Sequence, residues 1–494
     1  MAPDSAAVYG EVPSIGVLDR TIVRGVTWTA GIKAATIAVS WACTIMLARI
    51  LSPQDYGIVT MATVFVGLTT MVTDYGLGAA VIALPELSER LAAQLHSAAA
   101  IVGGVTFAIS CAAAVPVSRF FKTPLLVPVI IVTSSVLIFD SLRLVPTARL
   151  GREMRLKDLA LLDGYRAFIA LVLAVPLALL GARYWTLVVG NVVAAMIVTA
   201  VVLARVPQRF ARPAFKDLKA TLKFSSHFLT NQLAWYGYTN ADFVVAGRIL
   251  GKISLGEYNL AWNIVCAPGD KIMSIFGRVM PMVLANVQRD VAALRRYFLL
   301  FTEALGILII PTAVGLALVA RDFVLLVFGA KWSAAVLPLQ LLCIFMAIHI
   351  LGTPTDRLLQ SIGQASFPAR CRFVMLIAMP SAFYLSGSRW GTSGIAAMWI
   401  VVYPLLLIPM FVRAFRSIGI TLREYATTLA PTLLSVALMV LAVLGVQALS
   451  IPTLAVRFSA EVAGGAAAFI GSALLIQRRR IRVLTDFVRA VRTS

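Results

Sequence analysis

The chain has 494 residues, of which 60% are hydrophobic and only 13% charged, and its mean hydropathy is +0.90. A soluble enzyme or binding domain could not solvate that much apolar surface, so the composition excludes one. The 43 Lys and Arg against 22 Asp and Glu give a formal net charge of +21, and where the cations fall decides between a nucleic-acid partner and a membrane explanation.

Residues 1–24 carry Asp4, Glu11 and Asp19 and lack the basic-then-apolar order of a cleavable signal peptide, so they are expected to be a cytoplasmic segment and the first span a retained anchor. Beyond them come apolar stretches, each supplying the roughly 20 residues that a hydrocarbon core of about 30 Å requires. A first lobe, residues 25–204, holds six: Gly25 to Leu51, Tyr56 to Leu84, Ala92 to Val117, Leu125 to Pro146, Leu159 to Leu180, and Tyr184 to Ala204. Residues 205–223 form a basic cytoplasmic linker. Its Pro207, Pro213 and the Phe215, Leu218, Leu222 spacing suit an amphipathic surface helix and equally an ordinary solvated loop.

A second lobe, residues 224–415, holds six more spans: Phe224 to Leu250, Gly256 to Leu284, Tyr297 to Ala320, Ala334 to Asp356, Phe367 to Ser386, and Gly394 to Phe415. Residues 416–477 add Tyr425 to Leu449 and Val456 to Gln477. The basic tail, 478–494, has an Ile481, Leu484, Val488, Val491 stripe fitting a helix on the membrane surface. The expected fold is therefore an all-α polytopic membrane protein of about 14 transmembrane helices, with two pseudo-symmetric six-helix lobes plus two C-terminal helices.

With the N-terminus in the cytoplasm, most Lys and Arg fall on the inner side: Arg143 to Lys157, Arg205 to Lys223, Arg289 to Arg296, Arg413 to Arg423, and the tail from Arg478. The positive-inside rule then puts both termini in the cytoplasm and accounts for the charge without nucleic acid. Basic juxtamembrane residues also attract anionic membrane lipids at the inner leaflet. The five cysteines lack paired or metal-type spacing and read as small hydrophobes.

Ala48-Arg49-Ile50-Leu51-Ser52 aligns without a gap on Gly247-Arg248-Ile249-Leu250-Gly251, and the same register pairs Gly57 with Gly256, Ala62 with Ala261 and Val66 with Val265. The offset of about 199 residues equals six spans. An even number of spans returns the chain to the same side, so the halves are expected to be parallel repeats about an axis along the membrane normal, with a substrate cavity between them. Chance matches in so apolar a chain are the alternative.

Several stretches resemble the polysaccharide transporter family, the oligosaccharide-lipid flippases of the multidrug/oligosaccharidyl-lipid/polysaccharide superfamily. Leu47-Ala48-Arg49-Ile50-Leu51-Ser52-Pro53-Gln54-Asp55-Tyr56-Gly57 is similar to that family's first turn, and Asp74-Tyr75-Gly76-Leu77-Gly78 to the signature that follows it. In the second half, Asn240 to Arg248 followed by Leu255-Gly256-Glu257-Tyr258 resembles its seventh-helix pattern. Phe328-Gly329-Ala330-Lys331-Trp332 with Leu337 to Leu342 resembles its ninth-to-tenth connection. The resemblance implies a flippase that carries an oligosaccharide repeat unit on undecaprenyl pyrophosphate from the cytoplasmic to the periplasmic leaflet of a bacterial inner membrane, for exopolysaccharide, capsule or O-antigen synthesis. It also implies partnership with polysaccharide polymerase and export machinery. No cofactor is expected beyond a proton or sodium gradient.

Charges inside spanning helices are costly and usually face a cavity or a partner, which makes them the site candidates. Lys33 lies about 13 Å into the first span. Lys271 and Arg278, seven residues apart on the eighth span, share a helical face and suit a pyrophosphate, to which both can give charge-assisted hydrogen bonds. The alternative is that Lys33 snorkels and Asp270 neutralises Lys271. Asp74, Asp242 and Glu303 are candidates for ion coupling or for intramembrane pairing, Asp242 with a basic residue on a neighbouring helix. Trp235, Tyr236 and Tyr238 are candidates for stacking on sugar, with core or lipid-facing packing as the alternative. Asp140 with Arg143, Asp163 with Arg166 and Asp356 with Arg357 are expected interfacial pairs.

Two other functions fit parts of the pattern. A cation-coupled multidrug exporter of the same superfamily shares the two lobes, and a polytopic polymerase or glycosyltransferase shares the basic, apolar composition. Against an enzyme stand the short outer connections and three histidines, His96, His227 and His349, without catalytic or metal spacing.

Overall fold

The computed structural model describes residues 41–83, 88–153, 155–213, 232–449 and 451–477. Their regular structure is helical throughout. Lys33, the linker beyond residue 213 and the tail 478–494 lie outside the described residues.

The helices are α1 (Trp41–Ile50), α2 (Pro53–Ala83), α3 (Glu89–Phe120), α4 (Leu126–Ser134), α5 (Val136–Arg152), α6 (Leu156–Leu179) and α7 (Trp185–Arg205) in the first half. The second half holds α8 (232–239), α9 (Ala241–Ile249), α10 (Gly251–Asn286), α11 (Val291–Val327), α12 (Val336–Ser361) and α13 (Ser366–Ile418), followed by α14 (Leu422–Ala448) and α15 (Leu454–Ile476). Among the described residues ten helices are long and apolar enough to cross a membrane. The protein is a multi-pass membrane protein.

Local chemistry sets where these helices begin. Pro53 occupies the first helical position of α2, where its missing N–H costs nothing, and Ser52 and Asp55 bond reciprocally: Ser52 N donates to Asp55 Oδ2 at 3.0 Å and Asp55 N to Ser52 Oγ at 3.3 Å. Asp290 caps α11 by accepting from Ala293 N, and Thr421 with Glu424 forms a capping box on α14. Glu424 also binds Arg295, tying the start of α14 to the start of α11.

One predicted span needs revision. The fourth span is two helices, α4 and α5, meeting at Ser135. The eleventh and twelfth spans are continuous in hydrogen bonding as the 53 residues of α13, yet the chain reverses at Gly391, whose φ of 63° and ψ of −147° only glycine adopts without strain. A Cβ built on Gly394 would stand 2.5 Å from the carbonyl oxygen of Ser386, so the two arms lie against each other. The connecting run from Gly387 to Gly394 is rich in glycine, serine and threonine, and the gap between the two predicted spans falls on it.

The first half packs as α2, α3, α4, α5 and α7, with α6 on α7. The second half packs α10 and α11 on α12, and α12 and α9 on α13. α14 and α15 lie on α11 and on each other, held by Arg457, which grips Asp322 of α11 at 2.5 Å, and by Gln477, which donates to Ser435 at 3.2 Å. The main apolar core runs through both halves, from Leu47 to Met439, and two smaller clusters lie apart from it in the first half.

Candidate functional site

Each half contributes its second span, α2 and α10, to the contact between lobes. A Cβ on Gly57 would stand 1.7 Å from the carbonyl oxygen of Lys252, and a Cβ on Gly256 would stand 1.8 Å from that of Pro53. The register of the repeat pairs Gly57 with Gly256 and Pro53 with Lys252, so this is one contact made twice about a two-fold axis. The helices touch backbone to backbone, and only glycine permits it.

The same end of the bundle carries two further cross-lobe contacts, one from each half. The α11–α12 connection reaches the end of α1: Lys331 Nζ donates to the carbonyls of Arg49 and Leu51, both at 2.7 Å, and Trp332 Nε1 donates to that of Ala48 at 2.8 Å. Arg49 answers by donating to the carbonyls of Val327, at 2.7 Å, and Leu326. Trp332 is fully buried and stands edge-on to Tyr56, with ring centroids 5.3 Å apart. In the equivalent place of the other half, the α3–α4 turn reaches the end of α9. There Phe121 packs on Gly247, and the Arg248 guanidinium lies 5.4 Å over the Phe120 ring. Arg49 and Arg248 are repeat mates. We call this the clasp end.

Asp242 sits on α9 near the clasp end and is completely buried. Its Oδ2 accepts from Tyr258 at 2.8 Å and from Trp399 Nε1 at 3.1 Å, and its Oδ1 accepts from Phe243 N at 2.8 Å. The sequence suggested a basic partner; the partners found are neutral donors from α10 and α13, 16 and 157 residues away. No cation pairs with it among the described residues, and an ionised carboxylate so buried needs a counter-charge, which a proton or a small cation would supply. Trp262, Phe345, Phe383 and Tyr403 pack around Trp399 and lead to His349, which is hydrogen-bonded to Tyr403 at 2.7 Å.

The other sequence candidates fall elsewhere. Lys271 and Arg278 lie on the same α10 as Tyr258, 13 and 20 residues further on, or about 20 and 30 Å along the helix. Asp74 is 17 residues past Gly57 on α2, about 26 Å, and so at a similar depth to the two cations. The side chains of Asp74, Lys271 and Arg278 lie outside the described residues. Glu303 is partly buried on α11, a helix away from the α2–α10 contact.

The three aromatic candidates diverge because successive helical residues point about 100° apart. Trp235 is exposed, Tyr236 donates across the lobes to the carbonyl of Val64 at 2.8 Å, and Tyr238 is buried in the core. The expected pair Asp140–Arg143 is present at 2.8 Å, and Arg166 also reaches Asp140, at 3.5 Å. Asp356 pairs with Arg372 of α13 at 2.9 Å and not with Arg357, because neighbours on a helix do not face each other. Sequence reasoning missed the clasp residues Arg49, Lys331 and Trp332 as a site. Their signal was present in the motifs, but all of their acceptors are main-chain carbonyls, which no sequence pattern marks.

The family model described as polysaccharide biosynthesis protein matches residues 46–337, from the clasp motif of α1 through that of the α11–α12 connection. The chain belongs to this family. Among relatives of the polysaccharide biosynthesis family, the lipopolysaccharide biosynthesis protein WzxC of Escherichia coli is 24% identical over 82% of this chain and 84% of its own length. The succinoglycan biosynthesis transport protein ExoT of Rhizobium meliloti is 24% identical over 95% of this chain and 96% of its own. The solved structure of the lipid II flippase MurJ in an inward closed conformation is 13% identical and superposes with a TM-score of 0.73, covering 92% of this chain and 99% of that one. The chain shares the fold of that structure.

Proposed function

We propose that this member of the polysaccharide biosynthesis family flips a lipid-linked oligosaccharide, carried on undecaprenyl pyrophosphate, from the cytoplasmic to the periplasmic leaflet of a bacterial inner membrane. The single observation that carries the mechanism is the doubled glycine contact of α2 and α10. Two lobes that meet backbone to backbone at one end, about an axis along the membrane normal, can part there and close at the other end, which is alternating access. The names of WzxC, ExoT and MurJ support the substrate class.

In this reading the clasp end faces the periplasm and both termini face the cytoplasm, as the distribution of Lys and Arg favours. The head group enters from the cytoplasmic side. Lys33, Lys271 and Arg278 hold the pyrophosphate, exchanging its hydration for charge-assisted hydrogen bonds, while the prenyl tail stays in lipid. Completed units pass to a polymerase and export machinery. No bond is made or broken in this cycle, so no catalytic group is needed.

Asp242 carries the coupling proton or sodium. Its depth near the clasp end, about 20 Å from Lys271 along α10, separates the ion from the phosphate, so the two can be bound in different phases of the cycle. Asp242→Asn keeps the shape and is expected to remove gradient-driven export while leaving the unfolding temperature nearly unchanged. Gradient-dependent export by that variant in proteoliposomes would rule out the assignment.

The decisive experiment for the whole reading compares lipid-linked intermediates in cells with and without the protein, separated by leaflet with a membrane-impermeant probe of the sugar. Completed units are expected to accumulate in the cytoplasmic leaflet of the deletion strain. Equal leaflet distributions in both strains, or truncated units in the deletion, would overturn the flippase and favour the exporter or the assembly enzyme respectively.

A further inference from the structure

Between the lobes, on the side of the weaker cross-lobe contact, runs an open groove of about 390 Å³ lined by α2, α3, α8 and α9. Leu68, Val117, Phe120, Tyr236, Asn240 and Val244 are among its walls. It starts at the clasp end and reaches Leu68, eleven residues beyond Gly57, or roughly 17 Å, which is about the depth of one leaflet. Its few polar atoms are already engaged: the Tyr236 hydroxyl on the Val64 carbonyl, and Asn240 Nδ2 on the Tyr236 carbonyl at 3.0 Å. Such a groove offers an occupant only dispersion contacts, which suits an alkyl chain and not water or a sugar.

At the clasp end of the groove the chemistry changes. Arg248 lies over Phe120, a wall residue, and its Nη1 is buried without a hydrogen-bond partner among the described residues. Arg119 and Lys122 flank Phe120 and Phe121 and are exposed. None of the three cations forms an ion pair among the described residues. A buried, unsatisfied guanidinium nitrogen is costly, and an anion with oxygen acceptors would relieve it. A chain-shaped apolar slot one leaflet deep, ending in unpaired cations at interfacial level, is complementary to a lipid with an anionic head.

We propose that this groove binds one anionic phospholipid, its acyl chain lying between α3 and α9 and its phosphate bonded to Arg248. Because α2 and α3 belong to one lobe and α8 and α9 to the other, the site exists only while the lobes meet at the clasp end. A ligand that binds one of two arrangements shifts the population toward it, so the lipid reinforces closure on the side where Tyr236 to the Val64 carbonyl is the hydrogen bond described between the lobes and Arg248 makes none among the described residues. This site is separate from the proposed pyrophosphate site, which lies toward the opposite end of α10.

The test is native mass spectrometry of the delipidated full-length protein, titrated separately with dioleoylphosphatidylglycerol, dioleoylphosphatidylcholine and glycerol 3-phosphate. One equivalent of the phosphatidylglycerol is expected to be retained, the phosphatidylcholine several-fold more weakly, and glycerol phosphate not at all. Arg248→Gln should lower phosphatidylglycerol affinity roughly fivefold, as for the loss of one interfacial cation. Leu68→Trp, made at a position 40% exposed, should fill the groove and lower it as well. Equal retention of the two phospholipids, or wild-type retention by both variants, would overturn the proposal. Stoichiometric displacement of the phosphatidylglycerol by undecaprenyl phosphate at lower concentration would assign the groove to the prenyl carrier and overturn the phospholipid.

Discussion

The two halves of the clasp end do the same job with unequal means. Where the second half reaches the first, Arg49, Lys331 and Trp332 make five hydrogen bonds to main-chain carbonyls. Where the first half reaches the second, Phe121 packs on Gly247 and Arg248 rests on a ring. Duplication supplied both sides with an arginine at the same place, and among the described residues only one of them found acceptors. Charge-assisted hydrogen bonds contribute about 1.5–3 kcal/mol each, an exposed cation–π contact about 0.5–1. The lobes are therefore hinged asymmetrically: the Arg248 side is expected to yield first when the end opens, and the Arg49 side to resist.

The strongest way to break this comparison is to remove what the two sides share. Gly57→Val and Gly256→Val each place carbon atoms inside van der Waals contact with a backbone carbonyl, and backbone cannot yield as a side-chain tip can. Each is expected to cost about 3 kcal/mol in the closed arrangement and to abolish polymer export, with equal severity. Electron–electron resonance distances between spin labels at positions 122 and 333 would report the separation. A large difference between the two variants would contradict the two-fold contact.

The next test separates the sides. Lys331→Met removes two charge-assisted bonds and should destabilise the closed clasp by about 3 kcal/mol, read as a shift toward the longer of two label distances. Arg248→Gln should shift the same distribution by less, about 0.5–1 kcal/mol, because only a ring contact is lost. Equal shifts would mean that the hydrogen bonds of the Arg49 side contribute nothing beyond packing. As a reference away from both sides, Thr421→Ala removes the α14 cap and should lower overall stability by about 1 kcal/mol in thermal unfolding while leaving the label distances unchanged.

Much of this architecture was legible from the residues. Apolar runs of bilayer length are unambiguous, and the register set by Arg49 and Arg248 correctly paired Gly57 with Gly256, because a close helix crossing needs glycine on both sides. The site was less legible. Asp242 could be recognised as an acid inside a span, but its donors arrive from α10 and from Trp399 on α13, and nothing local announces such long-range bonds. Asp356 found Arg372 across a helix pair where the sequence offered the adjacent Arg357, since proximity along the chain is not proximity around a helix. The turn at Gly391 was legible too, since the polar and glycine-rich run from Gly387 to Gly394 interrupts the two apolar arms at the gap the sequence left between its eleventh and twelfth spans.

The acceptors at the Arg49 side are all main-chain oxygens, those of Ala48, Arg49, Leu51, Leu326 and Val327. A carbonyl survives nearly any change in the side chain that hangs beside it. The latch thus depends on three donor side chains and on the path of the backbone, leaving the acceptor positions free to drift in identity. A transporter lineage can then diversify the surfaces that meet different sugars without having to rebuild its gate each time.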